Sequence, residues 1–263
     1  MEYQKEYKKL MQRIDRYPNL RSIMKNNRAM ICGGACTSVF SEKRINDFDL
    51  YFHSTAECAN FVEELLLIKY KDSKSPAFKQ VCASDNALTF KCQFRPRMVI
   101  QVIRAKEMIV EDPHAVFYLF DYTINMCAYD FAIDSFVYHE RFFEDLKKKV
   151  LNFNPRTLFP ICSLYRSMKY QKRGYRLTGL SMIKLALAIN ALEMSTYRDL
   201  KRQLMGIDTL LLKELTDKWE KGELRDKEYN AFEAIQYIED YLSEKLGDGV
   251  DDDGNLEGED EKE

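Results

Sequence analysis

The sequence lacks long apolar runs and any signature of export. None of its apolar stretches approaches the roughly 18 residues that a membrane-spanning helix requires. Residues 1–10 are charged and contain no apolar segment of the kind found in secretory signals. We therefore expect a protein that does not enter membranes and that works in the cytoplasm.

Cysteine and histidine are too scattered to define a site. The seven cysteines follow no regular spacing, so without a signal peptide they are expected to be reduced and mostly buried. The three histidines have no spacing that suits a metal cage or a catalytic triad. Neither a dinucleotide-binding fingerprint nor a Walker motif is present. These absences argue against a zinc site and against the common phosphate-loop enzymes.

Negative charge is present in quantity but is concentrated at the C-terminus. Residues 247–263 contain nine acidic residues and one lysine, whereas the whole chain has a net charge of −2. Residues 1–246 therefore carry a net charge of +6, which suits a polyanionic partner without requiring one. The acidic segment is too polar and glycine-rich to bury a core and is predicted to be disordered.

Apolar periodicity predicts a mixed α/β organisation in the first part of the chain. The predicted elements are strands at residues 29–32, 47–52 and 98–103, a hairpin at 80–94, and helices at 3–17 and 55–70. Thr55 is the expected N-cap of the second of these helices.

The pattern becomes helical from Asn154 onward. Helical periodicity is found at residues 158–173, 181–194, 197–205, 209–221 and 229–246. We therefore predict an α+β fold with three parts: a mixed-sheet domain at 1–150, a helical domain at 151–246 and a disordered acidic tail at 247–263.

Two aspartates on the predicted strand 47–52 suggest the chemistry. Residues two apart on a strand project to the same face, so Asp47 and Asp49 point into one space. Two such carboxylates repel each other unless cations lie between them. Magnesium prefers oxygen ligands, and a pair of metal ions can bind both the attacking and the leaving oxygen of phosphoryl transfer. We predict that Asp47 and Asp49 are catalytic and bind two Mg²⁺ ions; simple amphipathicity of the strand is the alternative.

A glycine pair precedes this strand. Gly33 and Gly34 form a turn without side chains, so backbone N–H groups can approach a triphosphate. Ser38 lies where a helix is expected to begin, and its hydroxyl can donate to phosphate. We predict that Gly33, Gly34 and Ser38 bind a nucleoside triphosphate, with a purely structural turn as the alternative.

The order and spacing of these motifs resemble the polymerase-beta-like nucleotidyltransferase superfamily, whose signature is Gly-Gly followed after a short gap by Asp-x-Asp. A second block, FDYTINMCAYD at residues 120–130, is similar to the R-R-D-F-T-I-N-A-M-A-Y-D motif of class II tRNA CCA-adding enzymes and bacterial poly(A) polymerases. The resemblance extends over about residues 31–177. It implies a nucleotidyltransferase head followed by a helical neck and body.

The resemblance implies further nucleotide-binding residues. It places Asp121 and Asn125 against the sugar and triphosphate of the incoming nucleotide. It also implies that Arg166 and Lys169 face nucleotide or RNA phosphate. The structural alternatives are an N-cap for Asp121, a turn for Asn125 and a solvated basic helix face for the two cations.

The sequence departs from the family pattern at four places. Cys36-Thr37 stands where the family has Arg-Asp after Gly-Gly-x. Residues 159–163 (FPICS) contain no counterpart of the E-D-x-x-R motif that selects the base. Gln101 stands where many superfamily members have a third carboxylate, and Leu119-Phe120 replaces the family's arginine pair.

These features predict a metal-dependent enzyme that moves a nucleotidyl group from a nucleoside triphosphate to an acceptor hydroxyl. RNA, tRNA-like, is the favoured acceptor. The alternative is a catalytically inactive relative that binds RNA or a protein through its basic body. The retained Asp47 and Asp49 favour the enzyme, whereas the missing arginines favour the alternative.

Overall fold

A computed structural model describes most of the chain. The described residues are 3–69, 75–84, 86–94, 97–204, 216–217 and 227–246. They belong to two compact units, Met1–Thr157 and Leu158–Glu263, whereas the sequence pattern predicted a boundary near residue 150. The expected disordered tail at 247–263 and nearly all of the helix predicted at 209–221 lie outside the described residues.

A mixed β-sheet organises the described part of the first unit. Its strands are β1 (Met30–Cys32), β2 (Asp47–Tyr51), β3 (Phe78–Ala83), β4 (Ala87–Cys92), β5 (Val99–Ile103), β6 (Cys127–Asp130) and β7 (Ser135–Tyr138). They lie in the order β3-β4-β5-β2-β1-β6-β7. β2 and β5 are parallel, and the other neighbouring pairs are antiparallel. The mixed sheet predicted from the sequence is thereby confirmed.

Helices and short segments complete this unit. They are α1 (Gln4–Ile14), α2 (Leu20–Asn26), α3 (Gly34–Phe40), α4 (Thr55–Leu67), α5 (Pro113–Val116), α6 (Phe142–Lys148), the 3-10 turns Lys106–Met108, Phe117–Leu119 and Thr123–Asn125, and strand β8 (Val150–Leu151). The predicted N-cap of α4 was wrong by one residue. Ser54 is the cap, because its hydroxyl accepts a hydrogen bond from the backbone N–H of Glu57.

The two faces of β2 have opposite environments, as its alternating sequence predicted. Phe48 and Leu50 are fully buried in the larger hydrophobic core, to which helices α1 to α4 also contribute. Asp47 is exposed and Asp49 is half-buried on the other face. A smaller apolar cluster, which includes Tyr51, covers part of that second face. The sheet is therefore closed by helices on one side and partly open beside the aspartates.

The described part of the second unit is helical apart from one short strand. Its elements are α7 (Pro160–Lys172), β9 (Arg176–Leu177), α8 (Gly179–Asn190), α9 (Tyr197–Leu204) and α10 (Ala231–Leu246). Tyr197 and Leu200 of α9 pack with Ala234 and Tyr241 of α10. Within the described ranges, no helix has both the length and the apolar character needed to cross a membrane.

A buried carboxylate in α6 holds the segment that contains Asp121 and Asn125. The hydroxyl of Thr123 donates to Asp145 at 2.6 Å, and the guanidinium of Arg141 donates to both oxygens of that carboxylate at 3.1 and 3.3 Å. The side chain of Asp145 is 2% exposed. Hydrogen bonds to a buried charge are among the strongest in a protein.

Replacing this carboxylate should destabilise the fold. We expect Asp145→Ala to lower the free energy of unfolding by about 2–3 kcal/mol, since a hydrogen bond to a charged group contributes roughly 1.5–3 kcal/mol. Urea denaturation of the full chain measures the change. The matched control is Glu144→Ala, because Glu144 is exposed on the same helix and pairs only at the surface with Lys148. Equal midpoints for both variants would contradict the anchoring role of Asp145.

Candidate active site

The glycine turn adopts a backbone conformation that favours glycine. Gly33 has φ +68° and ψ −127°, and its N–H donates to the carbonyl of Cys127 at 3.1 Å. A residue with a Cβ is strained at such a φ. Helix α3 begins immediately afterward, at Gly34. The chain therefore turns sharply at the end of β1, with the first N–H groups of α3 following the turn.

The turn lies directly beside Asp49. A Cβ placed on Gly33 would lie 3.9 Å from Oδ2 of Asp49 and 3.8 Å from Cζ of Phe120. Gly34 is exposed, and a Cβ there would have no atom within 4 Å apart from its chain neighbours and the backbone of its own helix. The structure thus brings Gly33, Gly34 and Asp49 together and leaves open space above Gly34.

The aspartate pair shares its sheet face with an amide. β2 pairs with β5 so that Asp47 lies beside Val99 and Asp49 beside Gln101. Gln101 therefore occupies the position from which a third carboxylate would meet Asp49. Among the described residues, no group of three or more His, Cys, Asp or Glu side chains is arranged to hold a metal ion.

Ser38 is not located as the sequence suggested. The helix begins at Gly34, so Ser38 lies one turn inside it and not at its start. Residues four apart share a helix face, which places Ser38 on the side of Gly34. Its side chain is half-buried, and its carbonyl accepts the N–H of Lys43 at 2.8 Å.

Asp121 and Asn125 form a buried pair. The side-chain amide of Asn125 donates to Asp121 at 3.0 Å, and both residues are at most 3% exposed. Asn125 ends a 3-10 turn whose N-cap residue is Tyr122, so the N-cap interpretation of Asp121 was wrong. The two side chains are therefore in direct contact, and their role in nucleotide binding stays a prediction.

This pair is tied to the glycine turn through α3. The hydroxyl of Thr37 donates to the carbonyl of Ile124 at 2.7 Å and to that of Gly33 at 3.2 Å. Phe120, which precedes Asp121, packs edge-on against Tyr51 with ring centroids 5.9 Å apart. The segment 120–125 therefore forms a wall beside the turn.

Arg166 and Lys169 belong to α7 in the second unit. They are three positions apart and so lie on one side of that helix. Arg166 is half-buried and Lys169 is exposed. Their participation in the nucleotide site stays a prediction.

A buried His–Asp pair near the same sheet face was not predicted from the sequence. Nε2 of His53 lies 3.3 Å from Oδ1 of Asp130, and Nδ1 donates to the carbonyl of Glu111 at 2.8 Å. Both side chains are nearly inaccessible to solvent. The hydrogen bond to Asp130 raises the pKa of His53 above its ordinary value. The only sequence signal was Asp130, the last residue of the 120–130 block.

This pair should make stability depend on pH. The folded-state pKa of His53 lies above its unfolded value of about 6.5, so the stabilisation is complete below about pH 6.5. It is lost as the pH rises through the folded-state pKa. We expect the melting temperature to fall as the pH rises from about 6.5 through the folded-state pKa of His53. In His53→Gln, the contribution of His53 to this fall should be absent. His114→Gln, at an exposed position, is the control and should leave the pH profile unchanged.

Sequence comparison relates the chain to proteins of one family. A profile described as "Gabija anti-defense 2 family protein" matches residues 3–149. A curated relative, "Gabija anti-defense 2" of Bacillus phage SPbetaL7, is 31% identical over 256 residues. The alignment covers 94% of this chain but 58% of the relative. The chain thus spans less than two thirds of the length of this curated relative.

Structural comparison identifies the fold. A CCA-adding enzyme in apo form I matches with a TM-score of 0.53 and 17% identity, over 90% of this chain and 54% of that one. A CCA-adding enzyme in complex with ATP matches with a TM-score of 0.52 and 16% identity, over 90% and 53%. At these identities the likeness shows a nucleotidyltransferase-like fold alone. With a family profile that matches more than half of its residues, the chain belongs to the Gabija anti-defense 2 family.

Proposed function

We propose that the protein is a metal-dependent nucleotidyltransferase that moves a nucleotidyl group from a nucleoside triphosphate to a hydroxyl of RNA. The proximity of Gly33 to the Asp49 carboxylate carries this proposal. A turn that requires glycine lies beside a carboxylate, and the next residue, Gly34, has open space around its Cβ position. Such a turn lets a triphosphate approach the backbone while the carboxylate meets it from the adjacent strand.

The donor set suits magnesium. Mg²⁺ is usually bound by one or two carboxylates together with substrate phosphates and water, rather than by a complete cage of protein ligands. Asp47 and Asp49 provide two carboxylates on one partly open strand face, which agrees with a site that the triphosphate completes. Two bound magnesium ions would supply positive charge to the triphosphate and to the attacking oxygen.

The other residues of the site bind and orient the nucleotide. The backbone of Gly33 and Gly34 would hold the phosphates, with Ser38 one turn along the same helix face. Asp121 and Asn125, a buried hydrogen-bonded pair, would hold the wall at 120–125 against which the sugar lies. Contact of Arg166 and Lys169 with nucleotide or RNA phosphate is a separate proposal, taken from the family resemblance alone. The acceptor oxygen bonds to the α-phosphorus as the bond between the α-phosphorus and its bridging oxygen breaks. Pyrophosphate leaves, and the hydroxyl proton passes to solvent.

A second candidate function follows from Gln101. An amide beside Asp49, where a carboxylate would strengthen metal binding, is compatible with an inactive relative that binds RNA or a protein. Such a protein would bind nucleotide or RNA without forming a covalent product.

The biological role is proposed from the family. The curated relative is named for opposing the Gabija defence and comes from a bacteriophage. We infer that transfer by this protein serves the same purpose. Phage carrying the wild-type gene should form plaques on a host with that defence, whereas phage carrying Asp49→Asn should not.

Transfer itself can be measured directly. The full chain is incubated with each nucleoside triphosphate labelled at the α-phosphate, with magnesium and total RNA. We expect labelled RNA on denaturing gels. No label should be incorporated when a chelator is present from the start, and incorporation should be restored when excess magnesium is added. Nucleotide binding without label on any RNA would instead favour the inactive relative.

A further inference from the structure

A row of residues leads across the sheet from the aspartates to two lysines. Asp47 pairs with Val99 on β5, Val99 pairs with Lys91 on β4, and Lys91 pairs with Lys79 on β3. Residues directly paired in a sheet project to the same face. Neighbouring strands are about 4.8 Å apart, so Lys91 and Lys79 lie about 10 Å and 14 Å from Asp47.

The outer end of this row opens into a groove. It has a volume of about 350 Å³ and is lined by Lys79, Val81, Lys91, Cys92, Gln93 and Arg97. We call it the basic groove. Its three cationic residues are all exposed. Within the described residues, none of the three side chains forms an ion pair.

The two lysines that face each other across β3 and β4 repel each other when no anion lies between them. Like charges directly opposite each other on adjacent strands destabilise the pairing. Lys79 and Lys91 are such a pair, and Arg97 lines the same groove. An anion between them would remove the repulsion, and a chain of phosphates would satisfy all three cations at once.

We propose that the basic groove binds the phosphate backbone of the single-stranded 3′ end of the acceptor RNA. This inference rests on the proposed function, because the RNA is identified as the acceptor only if the aspartates at the inner end of the row are catalytic. None of the described residues that line the groove is aromatic, which argues against a protein partner anchored by a large side chain and against base stacking. Binding should therefore be electrostatic and indifferent to base sequence.

The test compares two charge-matched double variants. Lys79→Gln/Lys91→Gln removes two charges from the groove. Lys25→Gln/Lys147→Gln removes two exposed charges from α2 and α6. The probe is a fluorescein-labelled single-stranded RNA oligonucleotide, measured by anisotropy without nucleotide or magnesium.

The groove variant should lose affinity and salt dependence together. For single strands each phosphate contact contributes about 0.7 to the slope of log K against log salt. At 0.1 M salt this corresponds to about fivefold per contact, so Kd should rise about 25-fold and the slope should fall by about 1.4. The control variant should match the wild type.

Three other results would overturn the groove assignment: unchanged RNA affinity in the groove variant, an equal loss in the control variant, or an equal loss of ATP affinity. The last of these would assign the lysines to the nucleotide site. If RNA affinity falls as expected but no acceptor ever receives label, the groove assignment stands and the proposed transferase function fails.

Discussion

Asp49→Asn is expected to reduce nucleotidyl transfer by at least about 10³-fold, and Asp47→Asn should have a similar effect. A bound metal ion contributes several kcal/mol of charge stabilisation in the transition state, and about 4 kcal/mol corresponds to 10³-fold in rate. An amide keeps the size of the carboxylate but removes the negative charge that would hold magnesium. Label transfer under single-turnover conditions measures the loss.

The stability of these variants separates a catalytic role from a structural one. Asp47 and Asp49 are about 7 Å apart along one strand face, and two like charges at that distance repel each other. Removing one charge should leave the melting temperature without magnesium unchanged or higher. Glu63→Gln, at an exposed position on α4, is the control for charge alone and should retain full transfer. Near-normal transfer by both aspartate variants would show that the site is elsewhere.

The sequence was sufficient for the parts of this site that depend on local periodicity. Asp47 and Asp49 alternate with Phe48 and Leu50, so their common face followed from the strand alone. The turn at Gly33 followed from its two glycines. The predicted position of Ser38 was wrong by one helical turn, because α3 begins directly after Gly33. That start depends on the backbone angles of a single residue, Gly33.

Contacts between distant segments could not be derived in this way. His53 and Asp130 are 77 residues apart in the sequence. They meet because β1 lies between β2 and β6 in the sheet, which brings the ends of β2 and β6 close together. Gln101 lies beside Asp49 only because β5 crosses over to run parallel with β2. Strand order is set by the packing of the whole unit, so neither contact leaves a local pattern in the sequence.

The stretch at residues 159–163, where the family resemblance places base selection, is unsuited to that task. A protein selects a base by presenting a fixed pattern of donors and acceptors to its edge, and a carboxylate with an arginine can do this for cytosine or adenine. Ser163 is 2% exposed, and its hydroxyl donates to the carbonyl of Phe159 at 3.0 Å within α7. Cys162 is also buried. Phe159 is half-buried and could stack on any base, which gives affinity without discrimination.

We therefore expect that the protein does not build an ordered C-C-A end. A good pair of hydrogen bonds to a base edge contributes roughly 1–3 kcal/mol of discrimination. Without such a pair, the preference between bases at a given step should stay below about tenfold. The alternative is that the protein adds a single kind of nucleotide. The assay offers a tRNA that lacks its terminal C-C-A each nucleotide singly and then all together, and the products are sequenced. An RNA of unrelated sequence with a free 3′ hydroxyl is the control acceptor. Faithful addition of C, C and then A to the tRNA alone would contradict this expectation, because the selecting groups would then have to come from outside residues 159–163.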